Sequence, residues 1–252
     1  MLSGGASNDN FTHWFTDVLP RLAIFKKAYN INEIDKFLVP NYQYNFQKQT
    51  LEILGISHNK ILSSKKNKHI EADCIYATSH PCFYKPTLVK NWSIKYLRKI
   101  FLKNIKKDKQ YNKIFIDRDQ CKLLEKKKLK SFKDYRILIN EIEIKNFLKK
   151  KGFKIIKPED YSFKDQLKIF YSAKEIVSLY GAAMMMITFC SADTKIIEIR
   201  PLKAGLEFEK ISKLNNLFHK VIKIKPLYHS LIPQNGLLYC KIDLLKKKLD
   251  NK

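Results

Sequence analysis

Cysteine is scarce: Cys74, Cys82, Cys121, Cys190 and Cys240 are an odd set with no closely spaced pair. Neither a disulfide framework nor a thiolate zinc site is indicated. No run of about 18 apolar residues occurs, as a membrane-spanning helix would need. The first residues also lack the basic-then-hydrophobic pattern of a secretory leader. A cytosolic chain is expected. Acidic residues are outnumbered, 24 Asp and Glu against 49 Lys and Arg, for a formal net charge of +25. Arginine is nonetheless rare, at Arg21, Arg98, Arg118, Arg136 and Arg200. The charge is therefore almost all lysine, spread over many segments as solvated helix faces. With no nucleic-acid-binding motif and no aromatic and basic platform, it does not indicate a nucleic-acid partner. It does permit peripheral contact with the anionic inner face of a membrane.

What the chain does contain is enough apolar material, 45% of 252 residues, for one large core or two domains of about 100 to 125 residues each. Short apolar runs alternate with amphipathic stretches. In the first half the pattern predicts a helix over Thr12 to Tyr29 and strands at Lys36 to Val39, Lys60 to Leu62 and Cys74 to Ala77. Further helices are expected from Phe46 to Leu54 and from Trp92 to Ile105, with a loop from Ser79 to Thr87. Pro20, inside the first helix, frees the carbonyl of Thr16 and should bend it. His13 and Asp17 stand four apart on that helix, on one face, where both can meet one ligand.

A lysine-rich stretch near residue 108 marks the domain boundary, giving units 1–108 and 109–252. The second unit begins with a strand at Lys113 to Asp117, followed by a lysine-rich loop. Asn140 is placed to cap a helix that Gly152 stops, and Ser162 to cap another, with Asp165 in the capping-box position. An apolar strand from Glu175 to Leu179 then turns through Gly181, Ala182 and Ala183 into a short helix, and a buried strand follows at Lys195 to Pro201. Connections of this length favour a parallel sheet covered by helices, with ligands at the carboxyl ends of its strands. Two readings of the small-residue turn stand. It is a phosphate cradle of main-chain amides at a helix start, or a helix packed tightly on a sheet.

Several segments together carry a family resemblance. NFTHWFTDVLPRL, Asn10 to Leu22, resembles the histidine, tryptophan and aspartate motif of glycosyltransferase family 61. IFIDR, RILINEIEI, GFKIIKPEDYSFKDQ, YGAAMMMITF and IIEIRP resemble its later motifs, in the same order. The resemblance implies a GT-B-type fold, α/β with two Rossmann-like α/β/α units facing a cleft. The first unit would be acceptor-side and the second would bind the nucleotide sugar. Because the first motif begins within a few residues of the start, a truncated N-terminal sheet is an expectation too. Inverting transfer from a nucleotide sugar, foremost a UDP-sugar, to a glycan or lipid-linked hydroxyl is the implied activity. The alternatives are a catalytically weak or non-catalytic nucleotide-sugar-binding relative and a basic nucleic-acid-binding protein.

Inversion needs a base beside the acceptor hydroxyl, opposite the departing diphosphate. Asp17 is expected to be that base, and His13 to orient it, bind the sugar or act as the base itself. Arg118, at a strand end, can fork onto phosphate oxygens. The resemblance adds Asn140, Gln166, Tyr180, Gly181, Ala182 and Ala183 on the donor side. Glu198 either holds ribose hydroxyls or pairs with Arg200. Asp117 and Asp119 imitate an Asp-x-Asp metal site, but with Arg118 between them no metal and no other cofactor is expected. Tyr180 and Met186 stand where the family usually has His and Asn.

Overall fold

The computed structural model describes residues 10–39, 41–81, 89–119, 135–227, 232 and 234–250. Two compact units emerge: Met1–Ile105 with Ser162–Leu167, and Lys106–Tyr161 with Lys168–Lys252. The lysine-rich loop after Asp119 lies outside the described residues, as does most of the loop expected over 79–87.

The first unit opens with α1 (Phe11–His13), a π-helical turn (Trp14–Val18) and α2 (Leu19–Phe25) as one segment. Asn10 starts it, its side-chain oxygen accepting from the amides of Thr12 and His13 at 2.9 and 3.4 Å. The bend expected at Pro20 takes the form of the π turn. Proline has no N–H for the carbonyl of Thr16, and the amide of Leu19 reaches back five residues to Trp14 instead. Trp14, Phe15, Val18, Leu19 and Leu22 are buried. The Trp14 indole N–H donates to Thr50 Oγ1 at 2.9 Å, and the Phe15 ring meets those of Phe101 and Phe163 at 6.0 and 5.4 Å.

β1 (Phe37–Val39) pairs in parallel with β2 (Ile61–Ser63), with α3 (Asn45–Ile53) between them in sequence; α4 (Asn91–Phe101) follows. Gly55, at φ +79°, ends α3 in a conformation that glycine adopts without steric cost. The strand expected at Cys74 to Ala77 does not form. Its apolar member Ile75 is 76% exposed, and among the described residues no strand pairs with this segment.

The second unit carries β3 (Lys113–Ile116), β4 (Arg136–Leu138), α5 (Glu141–Lys150), β5 (Lys154–Ile156), α6 (Phe163–Ser172), β6 (Glu175–Leu179), a 3-10 helix (Ala182–Phe189) and β7 (Lys195–Pro201). It continues through α7 (Glu207–Leu214), β8 (Phe218–Ile224), β9 (Gly236–Leu238) and α8 (Ile242–Asp250). Helix α6 divides between the units after Leu167. Five strands form one parallel sheet in the order β5-β3-β6-β7-β8, and β4 pairs with β9 separately, also in parallel. The apolar residues of β3, β6 and β7 are buried along their length, as expected of a sheet covered on both faces.

Strand order decides where a ligand can sit. From β3 the chain moves first to β5 on one side, then to β6 on the other. The crevice outside the carboxyl ends of β3 and β6 is thus the switch point of a doubly wound sheet. Among the described residues, no helix is long and apolar enough to cross a membrane.

Candidate active site

At the switch point the amide of Asp117 donates to the carbonyl of Ile156, at 2.8 Å, carrying the β3 ladder one residue past the strand. The Asp117 carboxylate then accepts from the amide of Asp119 at 2.8 Å, and Asp119 takes φ +51°, which aspartate tolerates better than most residues. Arg118 sits within this turn. Its Nη1 donates to the carbonyl of Tyr180, at 3.0 Å, just beyond β6. Gly181 is extended, so its smallness serves space and not backbone conformation. A Cβ there would stand 2.7 Å from Arg118 Nη1 and 3.0 Å from its Cζ.

Arg136, the first residue of β4, converges on the same carbonyl. Its Nη1 donates to Tyr180 O and its Nε to Gln234 O, while the guanidinium lies 4.5 Å from the centroid of the Tyr180 ring. The Tyr180 hydroxyl donates to the carboxylate of Glu207. Burial pushes Arg136 down to about 10, and the like charge of Arg118 adds to this; Tyr180, Glu207 and Glu198 pull it partly back. Arg118 is also lowered by burial, against the fields of Glu141 and Glu159. Burial first, then Glu207, raises the Tyr180 phenol, which stays neutral. The two guanidiniums that share this carbonyl, Arg136 buried and Arg118 half-buried, repel each other. An anion placed between them would relieve that repulsion.

The remaining donor-side expectations divide. Ala182 and Ala183 are half-buried and start the 3-10 helix directly after Gly181, so this turn and Arg118 lie together. Asn140 does not cap α5 with its side chain. Its amide instead pairs with the Cys240 backbone, accepting from the N–H at 3.1 Å and donating to the carbonyl at 2.9 Å. Glu198 is fully buried in mid-sheet, 2.8 Å from His219 Nε2 and 3.7 Å from Arg200 Nε, so ion pairing describes its surroundings. Gln166 is buried on the part of α6 that belongs to the first unit. Met186, in place of the family's Asn, is fully buried core.

Asp117 and Asp119 are met by lysines: Lys145 Nζ lies 2.6 Å from Asp117 and Lys157 Nζ 2.7 Å from Asp119. Among the described residues no three His, Cys, Asp or Glu side chains are grouped to hold a metal ion. The role of Arg136 at Tyr180 and the placement of Lys145 were not legible in the sequence. The signals available were the rarity of arginine, the place of Arg136 at the head of RILINEIEI, and the position of Lys145 four residues after Glu141.

In the first unit the π turn holds Asp17 and His13 together. The imidazole Nδ1 lies 2.7 Å from Asp17 Oδ2, and Thr16 Oγ1 donates to Asp17 Oδ1 at 2.8 Å. Asp17 is 5% exposed, while the His13 side chain keeps 27% of its surface. A buried carboxylate on Nδ1 fixes the orientation of the imidazole.

A doubly wound parallel sheet with arginines at its switch point in one unit, and a histidine–aspartate pair in the other, define an α/β protein of two units. The model of the family Glycosyltransferase 61 matches residues 11–197, and the chain belongs to that family. The protein is accordingly an enzyme, a glycosyltransferase. A search of curated protein sequences finds no match.

Proposed function

We propose that the protein moves a sugar from a nucleotide-sugar donor, foremost a UDP-sugar, to a hydroxyl of a glycan or lipid-linked acceptor, with inversion at the anomeric carbon. The observation that carries this reading is the convergence of Arg118 and Arg136 on the Tyr180 carbonyl at the switch point. Guanidiniums suit a diphosphate because their planar N–H forks match its oxygens. Developing charge on the leaving group is met by groups already in position, at little reorganisation cost.

In the proposed step the acceptor oxygen forms a bond to the anomeric carbon as the bond from that carbon to the diphosphate oxygen breaks. The diphosphate leaves with the electron pair, and the acceptor proton passes to the His13–Asp17 pair. Asp17 is the carboxylate expected to be the base, but both its oxygens are engaged, by His13 and Thr16. The proton therefore enters through the more exposed imidazole, and Asp17 stabilises the imidazolium. This division of labour between two α/β units is the GT-B-type reading. The charge of +25 supports peripheral contact with anionic lipid, where a lipid-linked acceptor would be met.

A panel of nucleotide sugars, incubated with glycan and lipid-linked acceptors and followed by mass spectrometry, tests the proposal. Transfer with inversion from at least one UDP-sugar, abolished by His13→Ala, is expected. Transfer with retained configuration would rule out the single displacement.

A further inference from the structure

Lys145 occupies an unusual place. It projects from α5 and is largely buried, at 13% side-chain exposure. Its ammonium lies 2.6 Å from Asp117 Oδ1, 3.7 Å from Glu141 Oε2 and 3.9 Å from Asp119 Oδ1. Asp117 and Glu141 are buried beside it, and Glu141 Oε2 has no hydrogen-bond partner. Two of these carboxylates flank Arg118 in the chain, and the field of Glu141 reaches its guanidinium. Left alone, three carboxylates beside Arg118 would satisfy its charge and repel a diphosphate.

We propose that Lys145 is an internal counter-cation of the donor site, offsetting part of the charge of Asp117, Asp119 and Glu141 so that Arg118 keeps more of its own for the diphosphate without help from a divalent metal. The inference rests on the donor-site reading given above and adds a positioning residue to it. Lys145 acts through Asp117, whose side chain holds the turn that carries Arg118. With Lys157, which pairs with Asp119, it supplies two positive charges against three negative ones. Without Lys145, two of these three carboxylates would be left unopposed, besides Glu159, whose field also reaches Arg118.

This charge count sets the test, with UDP as the probe in calorimetric titrations with and without Mn2+. Lys145→Met should weaken UDP binding by about tenfold or more, because a second of the three carboxylates is then uncompensated beside Arg118. Adding Asp117→Asn restores the charge count and keeps an oxygen for the Asp119 amide, so the double variant should return to within about threefold of wild type. Wild-type affinity should not change when Mn2+ replaces EDTA. Because Lys145→Met alone strands buried carboxylates, the double variant decides the matter if the single one does not fold.

UDP binding by Lys145→Met at wild-type strength would overturn the proposal. So would a double variant that remains as weak as the single one, or, if the single one does not fold, about tenfold weaker than wild type. A tenfold gain of wild-type affinity with Mn2+ would overturn it too. The donor-site reading fails separately, if wild type and Arg118→Ala bind UDP equally.

Discussion

The guanidinium of Arg118 packs directly on the backbone of Gly181, so closely that a Cβ on the glycine would stand 2.7 Å from Nη1. Glycine at this turn makes room for a cation. The expected outcome for Gly181→Ala is a displaced Arg118, UDP binding weakened about tenfold or more, and a stability cost of about 1–3 kcal/mol from overpacking. In an Arg118→Ala background the same substitution should cost almost nothing. A double-mutant cycle in urea checks this; equal costs in both backgrounds would show that the contact does not matter.

Arg136 gives Nε to Gln234 O and Nη1 to Tyr180 O, a forked geometry that an ammonium cannot reproduce. Arg136→Lys should therefore lose UDP affinity nearly as far as Arg136→Ala. Calorimetric titration of the two variants makes the comparison, and full retention in the lysine variant would mean that charge alone suffices.

If His13 and Asp17 accept the acceptor proton, Asp17→Asn and His13→Ala should each lower kcat by roughly 10²- to 10⁴-fold. Donor binding should stay within about twofold of wild type. Parallel turnover and UDP-binding measurements separate the two effects. A matching loss of UDP affinity would place the pair in donor binding instead.

The indole of Trp14 is fully buried and its N–H donates to Thr50 Oγ1. Thr50→Val strands that donor and should cost about 1–3 kcal/mol. Urea unfolding followed by tryptophan fluorescence reads it out, because Trp92, 40% exposed, contributes a distinct red-shifted component.

Alkaline stability follows from raised acids. Burial pushes the Cys240 thiol from 9.0 up to about 12, and the Tyr96 phenol from 10.0 up to about 12. Each is more easily ionised unfolded than folded. Their stabilising effect is therefore whole below pH 9 and is lost as pH rises from 9 for Cys240 and from 10 for Tyr96 toward about 12. Each contributes at most about 1.4 kcal/mol per pH unit. Arg136, lowered to about 10 by burial, works in the opposite direction above that pH. Urea midpoints between pH 8 and pH 10 should fall, and Cys240→Ala should remove most of the decline below pH 10.

Local features of this fold are plain in the sequence. The strands at 113–116, 175–179 and 195–201 read correctly because each is a short apolar run between turn residues, and buried parallel strands have that composition. The turn at Gly181 reads as a site because small residues join two such strands. Long-range relationships were hidden. Nothing in periodicity joins Arg136 to the carbonyl of a residue 44 positions away. Lys145 is one lysine among many on helix faces. At Cys74 to Ala77 the alternation suggests a strand, but pairing depends on a neighbour that local pattern does not supply. The π turn was visible only as a misplaced proline, since the register shift that absorbs it is a matter of backbone bonding.

Calorimetric titration of UDP and of uridine into wild type and Arg118→Ala tests the diphosphate site most directly. Wild type should bind UDP in the range of about 1 μM to 1 mM, common for enzyme substrates, and uridine far more weakly, with Arg118→Ala reducing UDP to the level of uridine. Equal affinity of wild type for UDP and uridine, or undiminished UDP binding by Arg118→Ala, would contradict a diphosphate site at Arg118, Arg136 and Gly181.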